Sequence, residues 1–77
     1  MLLNAIIEKD KNGYFAYVPN LKGCVSQGET YEEALLNIKE AIELYIESLQ
    51  NKEKKLIFAN HPIIAPIEVS LNGWKIT

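Results

Sequence analysis

Pro19-Asn20-Leu21-Lys22-Gly23-Cys24-Val25-Ser26-Gln27-Gly28-Glu29-Thr30, running on into Tyr31 to Leu49, is the stretch that decides the fold. Thr30 and Glu33 have capping-box spacing: the hydroxyl accepts an early helix N–H and the carboxylate reaches back to the cap. Helix-forming residues then continue to about Leu49. At about 100° per residue, Tyr31, Ala34, Leu35, Ile38, Ala41, Ile42, Tyr45, Ile46 and Leu49 fall in one broad stripe. Glu29, Glu32, Glu33, Glu40, Glu43 and Glu47 gather opposite it. The spacing predicts one long amphipathic helix. Before it, Pro19 and Asn20 end a strand, because proline cannot donate to a ladder. Cys24 to Gln27 reads as a short strand, and Gly23 and Gly28 on either side permit tight or positive-φ backbone.

Further upstream, Leu2 to Glu8 alternates as a strand, with Leu3, Ala5 and Ile7 on one face and Leu2, Ile6 and Glu8 on the other. Lys9 to Gly13 is a polar turn ending in Asn12-Gly13. Tyr14 to Val18 is aromatic, β-branched and alternating, the second arm of a hairpin. Downstream, Asn51 to Lys55 reads as a polar exit whose lysines suit the negative end of the helix dipole. His61, Pro62 and Pro66 interrupt the chain. Ile67 to Leu71 alternates as a closing strand, with an Asn72-Gly73 turn before Trp74.

The expected order is βββαβ, an α+β domain of two layers in which one long helix covers a small antiparallel-type sheet. One helix covers one face. Phe15 and Tyr17 cannot share the face of Tyr14, Ala16 and Val18, so an apolar second face is left for another chain, a copy or a partner.

The 77 residues allow a single domain, residues 1–77, near the lower limit for folding without staples. Self-association as a dimer or tetramer is the natural expectation. One cysteine, Cys24, excludes an internal disulfide framework and a multi-cysteine metal site. No apolar run approaches the ~18 residues of a membrane span, and the opening Met1 to Asp10 is not a secretory signal; the expected compartment is the cytoplasm. The formal net charge is −2, and all eight basic residues are lysine. Bidentate reading of phosphate and guanine relies on arginine, so direct DNA binding is disfavoured.

The residues Pro19 to Thr30, with Glu33-Ala34 and Ile38-Lys39-Glu40-Ala41-Ile42, and the upstream strand Tyr14-Phe15-Ala16-Tyr17-Val18, resemble the HicB family of type II toxin–antitoxin proteins, also described as HicB-like or UPF0150 domains. The resemblance covers about residues 1–50. It implies a partial ribonuclease-H-like fold without nuclease activity. It also implies a protein partner: a small HicA-type toxin, an mRNA-cleaving ribonuclease that the antitoxin binds and blocks. Many relatives carry a C-terminal DNA-binding domain. About 27 residues follow the main helix here, too few for a helix-turn-helix, so the chain is similar to the short single-domain members.

Candidate chemistry is sparse. His61 is the one histidine, and Asn60 and Pro62 beside it offer no triad. Cys24 reads as a small buried residue. A ribonuclease-H-like name invites a search for converging metal-binding acids, but Glu8 and Asp10 sit on a strand end and turn while most others line one helix. No catalytic residue, metal ligand or cofactor site is expected. The segment Glu29 to Asn51 holds six glutamates and one lysine, a local charge of −5, which would attract a basic RNA-binding toxin. Leu36 and Leu44 lie in that acidic sector. The candidate partner or oligomer interface is therefore Tyr14, Phe15, Tyr17, Leu36, Glu40, Glu43, Leu44, Glu47 and Trp74.

Overall fold

The computed structural model describes residues 2–71. Strands β1 (Ile6–Asp10), β2 (Gly13–Tyr17) and β3 (Val25–Gly28) precede helices α1 (Tyr31–Glu47) and α2 (Asn51–Ala59). The strands form one antiparallel sheet in the order β1-β2-β3. The α+β class is as expected.

The hairpin closes through Lys11-Asn12, with Asp10 opposite Gly13. The Asp10 carboxylate accepts the Asn12 N–H at 2.7 Å, the short polar side chain standing in for a backbone turn partner. Gly13 takes φ 129°. The register sets Ile7 opposite Ala16 and Ser26, on the side that α1 covers, and puts Ile6, Phe15, Tyr17, Val25 and Gln27 on the other side.

Between β2 and β3 the loop closes on itself. Val18 N–H donates to Cys24 O at 3.2 Å, Leu21 N–H to Val18 O at 3.1 Å and Cys24 N–H to Leu21 O at 2.9 Å. Gly23 makes the reversal at φ 80°, a left-handed conformation that costs other residues. This winding drives Leu21 into the centre, where it joins Ala16, Val18, Cys24 and Ile38 as the buried cluster.

Helix α1 starts at the expected cap, which forms by its hydroxyl half; among the described residues the Glu33 carboxylate makes no return hydrogen bond to Thr30 N–H. Thr30 is extended, and its hydroxyl accepts the Glu33 N–H at 3.0 Å. The helix then lies close on β3. A Cβ placed on Gly28 would sit 2.5 Å from Ala34 N and 2.9 Å from Glu33 C. Gly28 does not have positive φ; its lack of a side chain serves close approach instead. Asn37 adds a clamp, its amide donating to Gln27 O at 2.8 Å. Ala34 and Ile38 are the fully buried part of the stripe, while Tyr31 and Leu35 stay about half exposed.

Two expectations change after α1. The polar exit is a second helix: Gln50 is its N-cap, and the Glu53 carboxylate accepts the Gln50 N–H at 3.1 Å. Half-buried Ile57 packs on the core, and Asn20 donates to Asn60 O at 2.7 Å, tying the end of α2 to the Pro19–Gly23 loop. The closing strand is not formed. Residues 60–71 carry no ladder pairing, and Ile67, Val69 and Leu71 are all exposed. The alternation there marks apolar side chains at every second position, and no strand among the described residues pairs with them. The Asn72-Gly73 turn lies outside the described residues.

Replacing Gly28 with alanine sets a new methyl against helix backbone, which cannot swing aside. The expected loss is about 1–3 kcal/mol, read as a lower urea midpoint. Thr30→Ala removes one cap hydrogen bond and should cost about 1 kcal/mol by the same measurement.

Candidate interaction surfaces

The uncovered side of the sheet is apolar at its middle. Phe15 of β2 stands 40 % exposed and Val25 of β3 50 % exposed, and half-buried Ile6 and Tyr17 share the cross-strand row of Val25. The Phe15 and Tyr17 rings lie 5.9 Å apart, tilted by 34°, within the range in which aromatic pairs attract. The Tyr17 hydroxyl makes a long hydrogen bond of 3.5 Å to the Glu8 carboxylate. These groups form a shallow patch framed by Glu8 and Gln27. Aromatic groups with a polar border are the composition of protein-binding surfaces.

Tyr14 does not belong to this patch. It sits on the helix side of β2, half-buried, with the Lys9 ammonium 5.8 Å from its ring centroid, a cation–π contact across the hairpin.

The second surface is the outward side of α1. Leu36, Glu40, Glu43 and Glu47 point directly away from Ala34, Ile38, Ala41 and Tyr45 at helical spacing, with Leu44 at their flank. Leu36 is 59 % exposed and Leu44 67 % exposed. Two leucines thus stand in a field of carboxylates. The structure therefore separates the candidate interface residues: Phe15 and Tyr17 face one way, the α1 stripe the opposite way, with the whole domain between them. Trp74 lies outside the described residues.

Between the hairpin turn and the start of α1 runs an open groove of about 820 Å³. Asp10, Glu29 and Glu33 contribute carboxylates to it, and Asn12, Gln27 and Asn37 amides. Sequence reading treated Asp10 apart from the helix acids; the pairing of β2 with β3 beside the helix start brings them to one groove. Such a rim favours cationic side chains. Among the described residues no three His, Cys, Asp or Glu side chains are grouped to hold a metal ion. His61 is exposed and borders a small cleft of about 300 Å³ lined by apolar and amide residues, including Leu3, Asn20, Ile57 and Pro62. No carboxylate is there to orient it. Cys24 is buried in the core, and burial pushes its thiol above the ordinary value of 9.0. Among the described residues no helix is long and apolar enough to cross a membrane.

The fold and its surfaces define a small α+β domain whose exposed features suit protein contact. The family model described as the HicB_like antitoxin of bacterial toxin-antitoxin system matches residues 3–69, so the chain belongs to the HicB-like antitoxin family. It is 63 % identical over 70 residues to a UPF0150 protein of Helicobacter pylori strain J99, covering 91 % of this chain and 97 % of that one. It is 53 % identical over 57 residues to a UPF0150 protein of Thermoplasma acidophilum, covering 73 % and 83 %. It also resembles an uncharacterized 14.9 kDa protein of Haemophilus phage HP1, 42 % identical over 72 residues, spanning 94 % of this chain and 50 % of that one. No solved structure matches the chain.

Burial makes Cys24 a reporter of opening. A thiol-specific disulfide reagent at pH 8 should react at least about 100-fold more slowly with the native chain than with the urea-unfolded one, since reaction requires exposure and the thiolate. The sign with pH follows from the raised pKa. The unfolded thiol ionises first, so the stability Cys24 contributes is complete below its ordinary value and is lost as pH rises through the elevated folded value. Urea midpoints for wild type and Cys24→Ala should converge over that alkaline range.

Proposed function

We propose that the chain is a non-catalytic, cytoplasmic antitoxin that binds a small HicA-type mRNA-cleaving toxin and masks it. The observation that carries this reading is the α1 stripe: exposed Leu36 and Leu44 set among Glu40, Glu43 and Glu47. A nuclease that grips mRNA needs a cationic surface for the phosphates. A rigid helix presenting carboxylates competes for that surface, and the leucines add contacts that RNA cannot supply. Charge steers the encounter, while the desolvated apolar anchors slow dissociation. Membership of an antitoxin family supports a toxin–antitoxin role in general; the HicA-type partner is the narrower part of the proposal.

A second reading is a regulatory or scaffolding homo-oligomer without a toxin, assembled through Ile6, Phe15, Tyr17 and Val25. The apolar character of that sheet face favours it, since a 77-residue chain gains by covering such a surface. The two readings use opposite sides of the domain, so one chain can do both.

Co-expression with the product of a neighbouring small reading frame tests the first reading. The expected result is a complex and restored growth. Glu40→Lys with Glu43→Lys should weaken the complex by about tenfold or more and blunt its salt dependence, while Phe15→Lys should leave it intact. No complex at low salt together with no rescue of growth would remove the antitoxin mechanism.

A further inference from the structure

Helix α1 is wider than the sheet beneath it. It packs on β3 and β2 and barely reaches β1. On the β1 side its apolar residues overhang. Leu35, Ile38 and Ile42 line a groove of about 560 Å³ together with Leu3 and Ala5, the residues leading into β1, and Glu32, Leu36 and Lys39 complete its lining. Beside that groove β1 is an edge strand, with its outer main-chain groups unpaired among the described residues. Both features ask for one more strand next to β1, apolar on the helix side.

The chain carries such a segment away from its own sheet. Ile67, Val69 and Leu71 alternate with Glu68 and Ser70, and the three apolar side chains are 77 %, 66 % and 56 % exposed. Five residues, 67 to 71, match the five of β1 in length. Pro66 stands at the segment's start, where a missing N–H is tolerated in an edge strand. Residues 60–71 pair with no strand among the described residues. Asn20 holds Asn60 at 2.7 Å, and Pro62 and Pro66 bias the residues before and between them towards extended backbone. A stiff, proline-bounded connection that presents a strand outside its own domain is the geometry of exchange between copies.

We infer that residues 67–71 pair with the β1 edge of a second copy, and that the second copy's segment returns the contact. Ile67, Val69 and Leu71 then enter the groove under Leu35 and Ile42, and Glu68 and Ser70 turn to the opposite side of the extended sheet. The contact is self-complementary, because every copy supplies its β1 edge and its own segment 67–71, so a closed twofold dimer satisfies both. It differs from the homo-oligomer reading above in its surface: it uses the edge of the sheet, and leaves Phe15, Tyr17 and the α1 glutamates open to a partner.

The test uses the full chain. Light scattering should give a dimer, and Val69→Asp should make it a monomer with unchanged helical circular dichroism, since residue 69 lies outside the core. Phe15→Lys should remain a dimer. For the pairing itself, a spin label is placed on Ser70→Cys in an unlabelled chain, with buried Cys24 left unmodified, and that chain is co-refolded with a nitrogen-15-labelled chain lacking the label. Broadening of the Ile6–Asp10 amides in the mixed dimer is the expected result. Three outcomes overturn the inference: a monomeric wild type, broadening only when label and isotope share one chain, or a dimer lost with Phe15→Lys and kept with Val69→Asp.

Discussion

The contact between the backbone of Gly28 and the first turn of α1 governs the rest of the molecule. A methyl group on residue 28 would meet Ala34 N at 2.5 Å, closer than side-chain packing allows, so helix and strand meet main chain to main chain. Ala34 is fully buried as a result. The same corner receives Gly13, where an added Cβ would lie 2.8 Å from Gly28 O. A helix pinned this tightly at β3 cannot also be centred over β1. Its overhang, the open β1 edge and the bare outer face of the sheet all follow from that one seat, and these are the places where the domain can meet other chains.

What could be read from the sequence was what short-range physics determines. Thr30 and Glu33 are three residues apart, so the cap hydrogen bond between them is a local one that sequence spacing signals. The hairpin is set by Asp10, Asn12 and Gly13 within one turn. Leu21 was harder, because it stands in a polar loop without period, and only the loop's closure on Val18 and Cys24 turns it inward. Gly28 was read for backbone freedom, yet close approach to Ala34 depends on where two distant elements come to rest. In α2 the Gln50 to Glu53 spacing carried a helix signal beneath a run of lysines. Residues 67 to 71 show the limit of periodicity: alternation marks a strand-like segment wanting cover but does not name the chain that supplies it.

The separation of the two candidate surfaces was not legible either. Helical spacing alone placed Leu36, Glu40, Glu43 and Glu47 together, and strand alternation alone placed Phe15 with Tyr17. Neither pattern says that the groups lie on opposite outer layers of the domain. That relation comes from Ala16 and Ile38 meeting in the core between them. It changes the functional argument, because a single partner of modest size cannot cover both at once. An acidic, leucine-studded helix and an aromatic sheet face are better matched to two different occupants.

Charge and apolar area also distinguish the helix face from the β1 edge, the surface of the proposed contact between copies. The α1 face, with its glutamates in water, gains most from a cationic partner that can leave again, since screened attraction speeds association without fixing it. The groove is mostly apolar, with Glu32 and Lys39 in its lining, and the β1 edge beside it offers main-chain hydrogen bonds, which suits a longer-lived contact whose geometry is set by a ladder and by packing. For a small chain with a core centred on five buried residues, the proposed contact between copies would complete the sheet, whereas release of the proposed toxin would return solvated carboxylates and the two exposed leucines to water. Under the two proposals the helix would stay free for a toxin while the edge contact joins two copies, and the seat of α1 on Gly28 holds both surfaces to the same centre.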